Sequence, residues 1–244
     1  MGATPWGVTL ALGLPPETEI DWILGVYQGF TDCLKAYGTE LVGGDTVRSP
    51  VKTLAVTAFG RVKSAQLIYR HTAQVGDLIV ITGNHGLSKA GLEILLNPNL
   101  AKNLSIEAIA KLHNAHQRPK PRLDLMPLEY SRVSGMDSSD GLADAIAQIC
   151  DASNVSAKLD YEKIVIADEI KLVANEMERK AIDWVMYGGE DFELVMCLAP
   201  EDAQSLIKRF SESVIIGEII PKDLNSQELT QNLNISKSFQ HFSL

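Results

Sequence analysis

The order of strand-like and helix-like segments predicts an α+β fold in two domains, because strands and helices follow one another without strict βαβ alternation. Two further observations support it. The periodic pattern breaks and restarts between Arg61 and Gly76, and 244 residues, 45% of them hydrophobic and 22% charged, suffice for more than one core. The domains are set at residues 1–70 and 71–244.

Val8, Leu10, Leu12 and Leu14 alternate with small or polar residues and predict an opening strand that ends at Pro15-Pro16. From Thr18, which can form a capping box with Asp21, the positions Ile20, Ile23, Leu24, Tyr27, Phe30 and Leu34 follow helical spacing as far as Gly38. Glu40 to Val42 reads as a short strand delivering the loop Gly43-Gly44-Asp45-Thr46. Leu54 to Val62 is a longer strand with Gly60 as its bulge.

In the second domain, Asp77 to Thr82 is a buried strand. The loop Gly83-Asn84-His85-Gly86 and a helix from Leu87 follow it. A further helix is centred on Ile106 to Leu112, and His116 to Arg122 forms a proline-marked connection. Val133 to Met136 leads into Asp137-Ser138-Ser139-Asp140-Gly141, after which Leu142, Ala143, Ile146, Ile149 and Cys150 lie at helical spacing. Gly188-Gly189-Glu190-Asp191 precedes the alternating Phe192, Leu194, Met196 and Leu198, which predicts a half-buried strand. Glu201 to Phe210 reads as helix and Val214 to Ile220 as strand.

Net charge is −9 and there is no basic stripe, which argues against a nucleic-acid partner held through its phosphates. Cys33, Cys150 and Cys197 have neither disulfide-framework nor zinc spacing, and no apolar run reaches transmembrane length. A soluble, cytoplasmic protein with reduced thiols is expected.

Two acidic motifs carry the chemistry. Gly43-Gly44-Asp45-Thr46 and Asp137-Ser138-Ser139-Asp140-Gly141 each set carboxylates beside glycines at the end of an apolar segment. Magnesium takes one or two protein carboxylates together with substrate phosphate, and glycine lets backbone N–H groups approach that phosphate. In the second motif one Asp can cap the following helix while the other stays free for metal, and Ser139 can donate to phosphate. Arg70 is open to two readings, a solvated surface arginine or a bidentate phosphate clamp. Glu190 and Asp191 are turn acids or a ligand-facing loop. Tyr27 belongs to the helix's apolar stripe with a possible face to an adenine, and Phe239 is a tail anchor or a stacking platform. His113 and His116 lack acidic or Cys partners at metal spacing and read as solvated or core-edge residues.

The motif set includes Leu41 to Thr46, Arg70 before Gly76-Asp77, Thr82-Gly83 with Gly86-Leu87-Ser88 and Arg118 to Arg122. With Asp137 to Gly141, Gly188 to Leu194 and the final Phe239-Gln240-His241-Phe242, it resembles the thiamine-monophosphate kinase family from end to end. That family lies in the aminoimidazole ribonucleotide synthetase-like superfamily. The resemblance implies a PurM-like two-domain architecture, here with an incomplete N-terminal domain sheet and a C-terminal α/β sandwich domain, assembled as a homodimer. It implies direct transfer of the γ-phosphoryl of ATP to thiamine monophosphate with Mg2+. It also assigns roles: Asp45, Asp137 and Asp140 to metal; Tyr27, Gly44, Asp45, Arg70 and Ser139 to ATP; Glu190 and Phe239 to substrate. No covalent catalytic residue is implied.

Family members carry a segment before the Met-Gly-Ala-x-Pro stretch, with a Gly-Asp-Asp motif and a further Asp. This sequence begins at that stretch. The expectation is an N-terminally truncated form, with residues 1–70 a partial ATP- and metal-binding domain and activity weak or absent. Two alternatives accompany this reading, another ATP user of the superfamily such as a selenophosphate synthetase or hydrogenase maturation factor, and a non-catalytic nucleotide-binding or dimerisation fragment.

Overall fold

The computed structural model describes residues 1–222. They form two compact units, the first from Gly2–Leu67 with Met126–Leu128, the second from Met1, Ile68–Leu125 and the described residues from Glu129 onward.

In the first unit, strand β1 (Thr4–Leu14), helix α1 (Ile20–Ala36), β2 (Leu41–Arg48) and β3 (Thr53–Arg61) give a three-stranded sheet of order β2-β1-β3. β1 runs parallel to β2 across the α1 connection and antiparallel to β3. The alternation that predicts β1 places Leu10, Leu12 and Leu14 on one face, where Trp22, Ile23, Val26, Tyr27 and Phe30 of α1 cover them. Three expectations are corrected. α1 starts at Ile20 with Glu19 as N-cap and no side-chain cap bond, one residue too late for Thr18 to cap, so the capping box does not form. The Gly-Gly-Asp-Thr segment is not a loop but the middle of β2, carried along by its pairing with β1. The bulge sits at Trp6 of β1, opposite the pair Phe59–Gly60, and not at Gly60 itself.

The second unit contains β4 (Leu78–Thr82), α2 (Leu87–Leu96), α3 (Ile106–Gln117), β5 (Ser134–Asp137), α4 (Leu142–Ser153) and β6 (Val155–Leu159). They are followed by α5 (Asp168–Glu176), α6 (Ala181–Tyr187), β7 (Leu194–Leu198), α7 (Pro200–Arg209) and β8 (Ser213–Pro221). The sheet order is β5-β7-β4-β8-β6, every neighbour antiparallel. Ile79, Ile81, Val195 and Cys197 belong to one core with Ile94 of α2, Ile146 and Ile149 of α4 and Ile170 of α5. α7 packs on β4, β7 and β8. β7 is therefore buried at every residue, not half-buried as its alternation predicts, because helices α4 and α7 both pack on it, with Val195 and Cys197 in the core shared with α4.

Two buried polar groups define the energetics. Asp77, 2% exposed, accepts from Gln74 N (2.8 Å) and takes a two-pronged bond from Arg132, Nη1 to Oδ2 at 2.5 Å and Nη2 to Oδ1 at 2.7 Å. His85 is 1% exposed, and neither ring nitrogen has a hydrogen-bond partner among the described residues. Burial lowers its pKa to about 4, so it is held as the neutral imidazole.

Arg132→Ala should cost about 3 kcal/mol in urea unfolding, since it strands the Asp77 charge, and adding Asp77→Asn should recover part of that loss. For His85 the unfolded chain binds a proton between pH 6.5 and 4 that the folded chain refuses, so stability falls as pH drops through that window, by about 3 kcal/mol at its acid end. His85→Leu should flatten this slope in unfolding curves taken across the window. An unchanged slope would assign the acid sensitivity to other groups.

Candidate active site

Antiparallel pairing brings three loops to one edge of the second unit's sheet. Asp137 at the end of β5 lies opposite Leu194 at the start of β7, and Ile81 near the end of β4 lies opposite Val195. The segments after β4 (83–86), after β5 (138–141) and before β7 (188–193) therefore converge. Glu193 ties them together. Its carbonyl accepts from Ser138 N (2.9 Å) and Ser138 Oγ (3.3 Å), while its carboxylate accepts from Thr82 Oγ1 (2.5 Å) and Arg122 Nη1 (2.9 Å). Asp124, bonded to the same guanidinium at 3.0 Å, raises the Arg122 pKa further above its ordinary value, and Glu193 adds to the effect.

The loop after β5 does not cap α4 with an Asp, as one sequence reading expects. Gly141 is the N-cap, at φ 113, and no side chain bonds the first turn. Among the described residues the carboxylates of Asp137 and Asp140 accept no hydrogen bond and form no ion pair, whereas Ser138 beside them is fully used. Two half-exposed carboxylates without protein partners, three residues apart, suit a hard cation that takes its other ligands from phosphate and water. No group of three His, Cys, Asp or Glu able to hold a metal occurs among the described residues, which argues against an all-protein cage. The donor set fits magnesium.

The loop before β7 lies against this segment. A Cβ on Gly189 would meet Ser139 O at 2.5 Å, so only glycine permits the approach, and Glu190 N then donates to Ser139 O at 2.7 Å. Glu190 and Phe192 both have left-handed backbones, φ 67 and 54. Between them Asp191 accepts from Gly86 N (2.6 Å) and Ser88 N (2.8 Å) at the start of α2. Desolvation pushes the Asp191 pKa up to about 7, against the pull of those N–H bonds. A cavity of about 450 Å³ opens here, lined by Lys89, His116, Ser139, Asp140, Glu190 and Phe192 among others. His116 Nδ1 shares a hydrogen bond with Ser88 Oγ (3.0 Å) and stands 3.8 Å from Glu190 Oε2.

Ser139, Asp140 and Glu190 are thus brought together, with Asp137 at the strand end that feeds them. Arg70 is not part of the cavity lining. It is exposed, its Nη1 donates to Gln148 Oε1 of α4 (2.8 Å), and among the described residues it pairs with no carboxylate. Its carbonyl accepts from Ser134 Oγ and Ser153 Oγ, which fixes its backbone to β5 and α4. Tyr27, Gly44 and Asp45 lie in the first unit. Tyr27 packs on the Leu10–Leu14 core, and a Cβ on Gly44 would meet Leu10 O at 2.0 Å. Asp45 is exposed on β2, in register with Ala11, and its Oδ1 accepts from Thr46 N (2.8 Å). Phe239 lies outside the described residues.

Sequence reasoning missed Ser88, Lys89, His116 and Phe192 as cavity residues. Ser88 and Lys89 follow a glycine at a helix start, but their usefulness depends on a loop about 100 residues away. His116 had no partner at metal spacing to flag it, and its actual neighbours come from α2 and the loop before β7.

Comparison with known proteins is consistent with this geometry. Residues 1–62 match the family model for the AIR synthase related protein N-terminal domain, and residues 74–227 match that for the C-terminal domain. The thiamine-monophosphate kinase of Synechococcus elongatus is 47% identical over 256 residues, covering 100% of this chain and 75% of the relative. The solved thiamine-monophosphate kinase from Stenotrophomonas maltophilia superposes with TM-score 0.79 at 32% identity, over 91% of this chain and 72% of that one. The structure of AaThiL complexed with AMPPCP and TMP gives TM-score 0.79 at 25% identity, over 91% and 69%. The fold, the motif order and these relatives agree, and the chain belongs to the thiamine-monophosphate kinase family of the AIR synthase related proteins.

Proposed function

We propose that this chain transfers the γ-phosphoryl group of ATP directly to the phosphate of thiamine monophosphate, giving thiamine diphosphate and ADP. The observation that carries the reading is the pair of carboxylates without partners among the described residues, Asp140 in the lining of the cavity that holds Ser139 and Glu190 and Asp137 at the strand end beside it, in a chain of this family. Both reacting groups are anionic, so the catalytic task is alignment and charge neutralisation, and no covalent nucleophile is required.

Asp137 and Asp140 would hold Mg2+ together with nucleotide phosphate, and Asp45 offers a further carboxylate on its own unit. Bound there, the ion would neutralise phosphate charge and polarise the transferring group. Ser139 would donate its hydroxyl to a nucleotide phosphate. Arg70, whose guanidinium is bonded among the described residues only to a neutral amide, keeps donors for phosphate, and Gly44 and Tyr27 would contact the nucleotide. Glu190 would orient thiamine monophosphate, its carboxylate suiting the cationic thiazolium, and Phe239 is assigned the same substrate. Exposed Leu54, Val56 and Phe59 on β3 suit a homodimer, the commonest closed assembly. Three free thiols accord with a cytoplasmic location, and no helix among the described residues is long and apolar enough to cross a membrane.

With ATP and magnesium, thiamine diphosphate should form from thiamine monophosphate and nothing should form from free thiamine. Product from thiamine, or none from the monophosphate in a folded sample that binds ATP, would overturn the reading. Asp140→Asn should lower kcat on the order of 100-fold while leaving urea unfolding unchanged, because its carboxylate has no partner among the described residues to lose.

A further inference from the structure

Helix α2 has an unusual start. Its N-cap is Gly86, at φ 89, and no local side chain bonds its first turn. The donors are satisfied from more than 100 residues away by Asp191, whose Oδ2 takes Gly86 N (2.6 Å) and whose Oδ1 takes Ser88 N (2.8 Å). A serine or aspartate at the N-cap would satisfy such donors locally. A remote carboxylate does something a local cap does not: it fastens the loop that carries it to the helix.

That loop is strained on either side of the bond. Glu190 (φ 67) and Phe192 (φ 54) occupy the left-handed region, which costs a residue with a side chain of the order of 1 kcal/mol and persists only where the surroundings enforce it. The enforcement is visible at three points: Glu190 N on Ser139 O, Ser138 N on Glu193 O, and Asp191 on α2 between them. Glu190 and Phe192 line the cavity, as do Ser88 and Lys89 from the turn that Asp191 grips. The α2 N-terminus is therefore not an open anion site, since its N–H groups are already bound to Asp191.

We propose that Asp191 is a positioning residue for the phosphoryl acceptor: anchored on the first turn of α2, it holds Glu190 and Phe192 in the left-handed conformations that line the cavity. The inference rests on the reading of that cavity as the thiamine monophosphate site. Of the groups assigned to ATP phosphate, Arg70 lies outside the cavity lining, and Ser139 meets the anchored loop through its backbone carbonyl, which leaves its hydroxyl for phosphate.

The test uses the full chain and two variants. Asp191→Asn keeps the shape but sets an amide N–H2 against a backbone donor, and Asp191→Ala removes both acceptors. Each should raise KM for thiamine monophosphate about 10-fold or more, with KM for ATP changed less than about 2-fold, the scale expected for losing a charge-assisted hydrogen bond. A purely structural residue would move both constants together. Equal changes in the two, or none in Asp191→Ala, overturn the proposal, and if that variant does not fold, Asp191→Asn decides alone. If the unmutated chain forms no product, the functional reading fails by itself. Hydrogen exchange then decides the anchor: Asp191→Asn should speed exchange at Ser88 and Glu190 and leave Val195 to Cys197 protected, and unchanged exchange at Ser88 and Glu190 overturns it.

Discussion

The place of β7 between β5 and β4 is the constraint on which the candidate site depends. Because both neighbours run antiparallel to it, their C-terminal ends and its own start share one sheet edge. Three loops separated by about 50 to 100 residues of sequence meet there without any of them being long. Burial of β7 at every residue locks this arrangement into the core, so the loops cannot drift apart without disturbing a strand that has no exposed face. Glu193 is where the strand's order is passed to the loops. Its backbone carbonyl fixes the segment after β5, and its carboxylate fixes the end of β4 and Arg122.

Sequence signals are legible where the physics is local. The Val8–Leu14 alternation, the 3.6-residue spacing of α1 and α4 and the restart before β4 correspond to elements of the fold, because each is set by which face must be buried. The misses have a common cause. The Gly43–Thr46 segment looks like a loop because of its glycines, yet the β1 backbone beside it turns it into strand, and Gly44 is glycine because Leu10 O comes so close. β7 alternates like a half-buried strand, and only the helices α4 and α7 that pack on it make it wholly buried. β6, α5 and α6 carry no comparable local signal. α5 is apolar on a narrow stripe, Ile170, Val173 and Ala174, within a highly charged segment, which leaves a weak pattern to read.

The same divide runs through the site. Asp137, Ser139, Asp140 and Glu190 were visible because short acidic, glycine-flanked motifs carry their meaning within a few residues. His116 and Ser88 were not, because their significance arises only when α3 and α2 pack. Asp191 stands out in sequence as part of the Gly-Gly-Glu-Asp turn, but its partner N–H groups are set only by the fold.

How charges are partnered explains how a chain of net charge −9 can serve anionic substrates. In the second unit the cations beside the convergent loops are committed to carboxylates, Lys89 to Glu93 and Arg122 to Asp124 and Glu193, as Arg132 is to Asp77 at the opposite end of the strands. Asp137 and Asp140 are left without partners among the described residues, and Arg70 has only a neutral one. A site built to bind phosphate by itself would show the opposite pattern, with free lysines and arginines and neutralised acids. Free carboxylates beside the cavity instead suit phosphates that arrive with their own metal ion, since the ion reverses the sign of the local field and turns the acids from repulsive to attractive. On the proposed reading, the overall acidity of the chain is then no obstacle to ATP, because the species the site meets is the metal complex and not the bare polyanion.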